Sequence, residues 1–301
     1  MPTLRQLEYL VALADLRHFG RAAQASHVSQ PSLSQQLRAL EQRLGTSLVE
    51  RGSNAVELTP IGREIAARAR EVLVAVEDMR DLARRAEEGI AGTIRFGVTP
   101  TLGPYLMPHV ISELHTAQPG LRLYIREGIP DDQALDLSRG QLDMLLGPLP
   151  IDGENLMVEP LFRERLHLVA APDHPLALKT DLSKADLKGA QILGLHSSHH
   201  LHRQVAALCA DLDMALLRDY EGTSLDSLRQ MAGTGLALTI LPDLYVRSEV
   251  GGSAGVKMLR VQDWRPTRSI AAAWRHGAAY SDAYRAIAGA IRERALALIG
   301  R

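Results

Sequence analysis

Between Ser29 and Gly45 the leucines Leu33, Leu37, Leu40 and Leu44 recur at spacings of four, three and four, which puts them on one face of a helix. The other edge carries Gln30, Ser32, Ser34, Gln35 and Arg38, short or amide-bearing groups plus one Arg, where an ordinary solvated face is more often rich in Glu and Lys. Ser29 is placed to cap this helix, and Pro31 falls in its first turn, where a missing N–H costs nothing. Two shorter helices are predicted before it. Leu4, Leu7, Leu10, Leu13 and Ala14 define one that ends near Leu16, and Phe19, Ala22, Ala23 and Ala25 define the next. Downstream, Leu48–Arg51 and Ala55–Leu58 flank the turn Gly52-Ser53-Asn54, the pattern of a β-hairpin. Three short helices followed by a hairpin make a winged helix-turn-helix over residues 1–58, with the third helix facing duplex DNA. Gln bonds adenine in two places, Arg does so to guanine, and Ser reaches phosphate or a base edge. The expected contacts are Ser29, Gln30, Pro31, Ser32, Ser34, Gln35 and Arg38, with Arg51 at the hairpin root on a phosphate.

The chain has 301 residues and a net charge of −1, so it is no polycation, and any DNA affinity must come from local placement. Arg5, Arg17, Arg21, Arg38, Arg43 and Arg51 barely outnumber Glu8, Asp15, Glu41, Glu50 and Glu57 in the first segment. The apolar share of 46% with 23% charged residues is that of a globular protein, and no apolar run approaches a membrane span. Cys209 is the only cysteine, which rules out an intrachain disulfide. With no secretory pattern at the N-terminus, the expected location is the cytoplasm.

Thr59 and Pro60 start a further helix in which Ile65, Ala69, Val72, Val76, Met79, Ala83 and Ala86 alternate at spacings of four and three. That heptad seam predicts a dimerising coiled coil over 59–90, ended by Gly89-Ile90-Ala91-Gly92. A symmetric dimer would bring two recognition helices to successive major grooves.

From Thr93 strands alternate with helices, which predicts a parallel sheet flanked by helices. Strands are expected at Thr93–Thr99, Leu121–Glu127, Asp143–Gly147, Val158–Phe162, Leu166–Ala171, Gln191–Leu195, Leu217–Glu221, Leu236–Ile240 and Arg268–Trp274. Crossings near Pro160–Glu164 and Asp263–Pro266 divide this sensor domain, 91–301, into lobe I (91–161 and 266–301) and lobe II (162–265). The fold class is therefore α/β, with an N-terminal all-α winged helix-turn-helix and a two-lobed, periplasmic-binding-protein-like sensor. Turns at Thr99, Thr101 and Leu102, at His196, Ser198 and His200, and at Thr223 and Ser224 are expected to face the cleft. There, helix N-termini suit a small polar or anionic effector. No cofactor is expected. His196, His199, His200 and His202 lie within seven residues, and their His-x-x-His spacing leaves a transition metal as an alternative to effector contact.

The stretches Phe19-Gly20-Arg21-Ala22-Ala23, Val28–Ser34, Leu40–Gly45, Glu50-Arg51 and Leu58-Thr59-Pro60-Ile61-Gly62 closely resemble the LysR-type transcriptional regulators. That resemblance implies a DNA-binding regulator, a homodimer to homotetramer joined through the long helix, and contact with RNA polymerase in an activator. Within the family, Leu7–Ala14, Arg17-His18-Phe19, Pro100–Leu106 and Thr223–Arg229 are similar to the peroxide-responsive OxyR subgroup, whose members use a reactive and a resolving cysteine. The resolving position resembles Cys209. His200 stands at the reactive position, and Pro130 where the subgroup offers a hydroxyl. An imidazole forms neither sulfenic acid nor disulfide, so sensing through an intrachain disulfide is excluded. Cys209 sits on an apolar helical face with Val205, Leu208 and Leu212 and reads as packing. An enzyme built on a histidine zinc site, with Glu127 or Asp226 nearby, is the competing reading, but the sequence has no His-Glu-x-x-His, Cys-x-x-Cys or phosphate loop, and no nucleophile elbow joining a predicted strand to a helix. A transport-type solute-binding protein would share the two lobes but have no use for residues 1–90.

Overall fold

The computed structural model describes residues 1–51, 56–88, 93–117, 119–251 and 255–300. It falls into two compact units, Met1–Gly89 and Ile90–Arg301.

In the first unit, α1 (Leu4–Leu16) opens with a capping box in which Thr3 and Gln6 satisfy each other's backbone N–H groups. His18 caps α2 (Phe19–Ala25), its Nδ1 accepting from Gly20 N at 3.0 Å and Arg21 N at 3.3 Å. Ser29 caps α3 (Gln30–Leu44), accepting from Ser32 N, and Gly45 ends that helix at a left-handed φ of 70°. Leu33, Leu37 and Leu40 are buried together with Tyr9, Leu10, Leu13, Ala22, Ala23 and Leu48. Each such leucine contributes about 1.5–3 kcal/mol. Leu44 and Ala25, expected to face inward, are exposed or half-exposed, because the last turn of each helix has run past the core. The wing strands β1 (Val49–Arg51) and β2 (Val56–Leu58) pair antiparallel. Glu41 holds the chain entering β1, accepting from Leu48 N at 2.9 Å and Val49 N at 3.2 Å. The turn Gly52-Ser53-Asn54, the Arg51 side chain and the Gly89–Gly92 stop lie outside the described residues.

The long helix α4 (Pro60–Glu88) starts on that same chain, where Thr59 Oγ1 accepts from Gly62 N and donates to the Ser47 carbonyl. Its predicted seam divides. Ala69 is buried and Ile65 and Val76 are half-buried on the side nearer the unit's own helices, whereas Val72 (43% exposed) and Met79 (59%) face outward. The first turns of α4 serve the core of their own unit, and Arg70 pairs with Asp15 of α1 at 2.5 Å.

In the second unit β3 (Thr93–Val98) pairs parallel with β4 (Arg122–Glu127) and with β5 (Met144–Pro148). The helices α5 (Gly103–Ala117) and α6 (Pro130–Ser138) connect these strands. The sheet is mixed, however, and not parallel throughout. β6 is one unbroken strand, Leu156–Ala170, where the sequence pattern predicted two. β11 (Thr267–Arg275) returns from the second lobe and runs antiparallel to both β5 and β6. β6 itself passes from lobe I into lobe II, where it pairs antiparallel with β9 (Thr239–Pro242) and β10 (Lys257–Met258). Pro160 is accommodated because the ladder to β11 shifts register there, and a bulge is one of the few strand sites proline tolerates. A parallel pair, β7 (Gln191–Leu195) and β8 (Ala215–Gly222), completes lobe II with α7 (His200–Leu212), α8 (Leu225–Gly233) and α9 (Asp243–Glu249). The terminal helix α10 (Ser281–Ile299) returns to the lobe I core.

Each lobe has its own apolar core. Alternation along β11 buries Ile270, Ala272 and Trp274 in the lobe I core beneath α5 and α10, and Ala273 on the α6 face. At the crossing strands, Arg268 and Glu164 are register partners with their side chains 1% and 0% exposed, Nε to Oε2 at 2.7 Å.

Candidate functional site

The polar edge of α3 is open to solvent. Ser29, Gln30, Pro31, Gln35 and Arg38 are exposed or partly so and Ser32 and Ser34 half-buried, while the leucines behind them are covered. Among the described residues neither Gln35 nor Arg38 is engaged by a polar partner, so both remain free to offer donors to a base edge. Arg43 is used differently, donating to the Met1 carbonyl at 2.8 Å and to Gln6 Oε1 at 3.1 Å. Gln6, 1% exposed, also donates to Gln36 Oε1 and so ties α1 to α3. A buried glutamine inside an amphipathic helix gives no periodic signal, and sequence reasoning missed it.

The expected sensor residues do not form one cluster. Leu102 is fully buried in the lobe I core. The Thr101 hydroxyl accepts from Arg268 Nη1 at 2.8 Å and its carbonyl from Nη2 at 3.0 Å, while Thr99 is buried with its Oγ1 3.5 Å from that of Thr101. The start of α5 is already faced by a carboxylate, since a β-carbon on Gly103 would lie 2.6 Å from Glu127 Oε1. Burial raises the Glu127 pKa. A carboxyl group already in that place leaves no room for a further anion at that helix end. Thr223 and Ser224 are exposed, and Ser224 accepts from Ser227 N at 3.1 Å as the cap of α8.

The histidines separate as well. His196 is exposed and shares its Nδ1 with the Ser198 hydroxyl at 2.9 Å, while His202 Nδ1 meets the Leu195 carbonyl at 2.8 Å. Burial, aided by His196 and His200, lowers the His199 pKa and keeps that ring neutral. Among the described residues no group of three or more His, Cys, Asp and Glu is arranged to hold a metal, because neighbouring imidazoles point to different partners.

His200 is the one that turns inward. It is 4% exposed at the start of α7, and its Nε2 lies 2.9 Å from Asp131 Oδ1 on α6, across the interlobe boundary. Arg203, one turn along α7, donates both terminal nitrogens to the same carboxylate at 3.2 Å each. Hydrogen bonding from Arg203, with His200 adding to it, holds the Asp131 pKa below the ordinary aspartate value. Behind this contact is a pocket of about 130 Å³ walled by Pro130, Asp131, Ala134, Leu145, Gly147, Pro150, Ile151, Asp152 and His200. Asp131 and Arg203 carry no motif signal and were not anticipated. Cys209 is buried on α7, and burial pushes its thiol pKa up, away from a reactive thiolate.

Residues 4–63 match the family described as bacterial regulatory helix-turn-helix proteins, lysR family, and residues 87–296 match the LysR substrate binding domain. The DNA-binding transcriptional dual regulator OxyR of Escherichia coli K12 is 38% identical over 291 residues, 97% of this chain and 95% of that protein. The HTH-type transcriptional regulator EstR of Acinetobacter baylyi is 30% identical, covering 90% of each chain. Among solved structures, a full-length OxyR variant from Pseudomonas aeruginosa superposes with a TM-score of 0.69 at 34% identity, covering 96% of this chain and 94% of that one. A hydrogen peroxide-bound OxyR mutant from Corynebacterium glutamicum gives 0.66 at 30% identity, covering 100% and 94%.

Proposed function

The chain belongs to the LysR family of DNA-binding transcription regulators, and from that premise we propose that α3 reads an operator while reversible occupancy of the His200 pocket sets the regulatory state. The observation that carries this reading is the split face of α3, with leucines covered and Gln35 and Arg38 unengaged at the surface. Ser29, Gln30, Pro31, Ser32 and Ser34 position the helix end on phosphates and bases, and Arg51 adds a wing contact. The outward Val72 and Met79 of α4 supply the dimer seam, and a dimer of dimers is the working assembly, acting in the cytoplasm and engaging RNA polymerase where it activates. With one cysteine, that seated on an apolar helix face, signalling runs through ligand occupancy and not through an intrachain disulfide.

Arg38→Ala or Gln35→Ala is expected to flatten discrimination between bases by about 1–3 kcal/mol in gel-shift competition. Unchanged site preference would remove α3 as the reading element. Affinity for the operator should fall steeply with salt. His200→Ala is expected to change the promoter response while operator affinity without inducer stays within about twofold. An intact response in that variant would remove the pocket as the sensing site.

A further inference from the structure

Resting on the reading of α3 as the helix that enters the DNA groove, we propose that Gln6 of α1 is a positioning residue for base recognition: it fixes the rotation of α3 about its own axis, and so decides which groove positions Gln35 and Arg38 reach. Gln6 is 1% exposed, and its amide is bonded at both ends. Its Oε1 accepts from Thr3 N and from Arg43 Nη1, each at 3.1 Å, and its Nε2 donates to Gln36 Oε1 at 3.1 Å. Arg43 also donates to the Met1 carbonyl at 2.8 Å, so this side of α3 is held from two points of the N-terminal segment. Gln36 and Arg43 lie two helical turns apart and therefore form one stripe along α3. Gln35 and Arg38, three positions apart, form the neighbouring stripe, which is open to solvent. Gripping the first stripe sets the azimuth of the second. The leucine core behind α3 does this less sharply, because apolar contact is non-directional whereas a hydrogen bond weakens steeply with angle. A turn of about 20° about the helix axis carries a side-chain tip about 6 Å from it by about 2 Å, enough to break a bidentate base contact. α1 is itself pinned to the long helix by the Asp15–Arg70 pair at 2.5 Å, so the link runs from α4 through α1 to the reading face. Leucine at this position would bury with no polar cost, whereas an amide sealed with partners at both ends specifies one arrangement.

The test uses the full-length protein and two DNA probes: a duplex carrying the site that the wild-type protein selects from a randomised pool, and the same duplex with that site scrambled. Gln6→Met nearly keeps the side-chain volume and removes every hydrogen bond of the amide. It should lower the ratio of the two affinities by at least about tenfold, the loss of one base contact, while affinity for the scrambled duplex and its salt dependence stay within about twofold. Gln6→Glu should keep the ratio, since a carboxylate still accepts from Thr3 N and Arg43 while Gln36 turns its amide to donate. Gln36→Met cuts the same link from an exposed position and covers the case in which Gln6→Met fails to fold. It should lower the ratio too, and the double variant should lose no more than Gln6→Met alone. An unchanged ratio in either methionine variant, an equal loss on both duplexes, a lowered ratio in Gln6→Glu, or additive losses in the double variant would overturn the role of Gln6. Arg38→Ala is measured beside them. If it leaves the selected site unchanged, α3 is not the reading element and the proposal falls with it. If Arg38→Ala relaxes the preference and Gln6→Met does not, only the role of Gln6 is lost.

Discussion

Arg268→Ala is expected to cost about 3–5 kcal/mol, because it strands the Glu164 carboxylate with no counter-charge where neither side chain reaches solvent. Arg268 links three parts of the second unit. Its Nε meets Glu164 on β6, its two terminal nitrogens hold Thr101 at the approach to α5, and Glu164 in turn accepts from Leu244 N of α9 at 2.7 Å. Both interlobe crossing strands and a helix start from each lobe therefore depend on one guanidinium. For a unit of this size the loss corresponds to a fall of roughly 6–20 °C in its thermal midpoint, read by calorimetry. The sign of a second variant separates charge burial from simple packing. Replacing both partners by methionine removes the stranded charge, and the double variant should be more stable than Arg268→Ala. If it is less stable, a stranded Glu164 carboxylate is not the source of the loss.

Gly62→Ala is expected to have the next largest effect, and it acts on the first unit. A β-carbon at Gly62 would lie 2.1 Å from the Leu48 carbonyl oxygen and 2.9 Å from its carbon, contacts that backbone on both sides cannot relieve. Leu48 is itself fully buried, and its amide is held by Glu41 of α3, so moving it disturbs both the recognition helix and the wing. Overpacking of this kind costs about 1–3 kcal/mol or more. Operator affinity should fall along with the unfolding temperature of the first unit, while ligand binding by the sensor remains. A variant with unchanged stability would show that α4 can lift away from Leu48 freely.

That glycine shows how far the sequence was legible. Thr59-Pro60-Ile61-Gly62 was recognisable as a family signature, and Thr59 as a cap, yet nothing in the string says that the Leu48 carbonyl occupies the missing side chain's place. The α3 stripe was readable for a different reason: burial there repeats with the helix period, and Leu33, Leu37 and Leu40 obey it. The same logic misjudged Leu44, since periodicity does not say where the core stops. The α4 heptads were visible, but only packing shows that Ala69 is covered within its own unit while Val72 and Met79 are left outward.

In the sensor, His200 could be singled out from its position in the family pattern, and its neighbours in sequence suggested a metal. Its true partner, Asp131, is 69 residues away, and the Arg268–Glu164 pair spans 104. Helix caps, strand alternation and apolar stripes arise from interactions within a few residues of each other, so the chain carries their imprint directly. Which imidazole turns inward, which carboxylate it meets and which cation is sealed between the lobes depend on groups brought together only by the crossing of β6 and β11. Their energies come from desolvation at a contact that exists only in the folded unit.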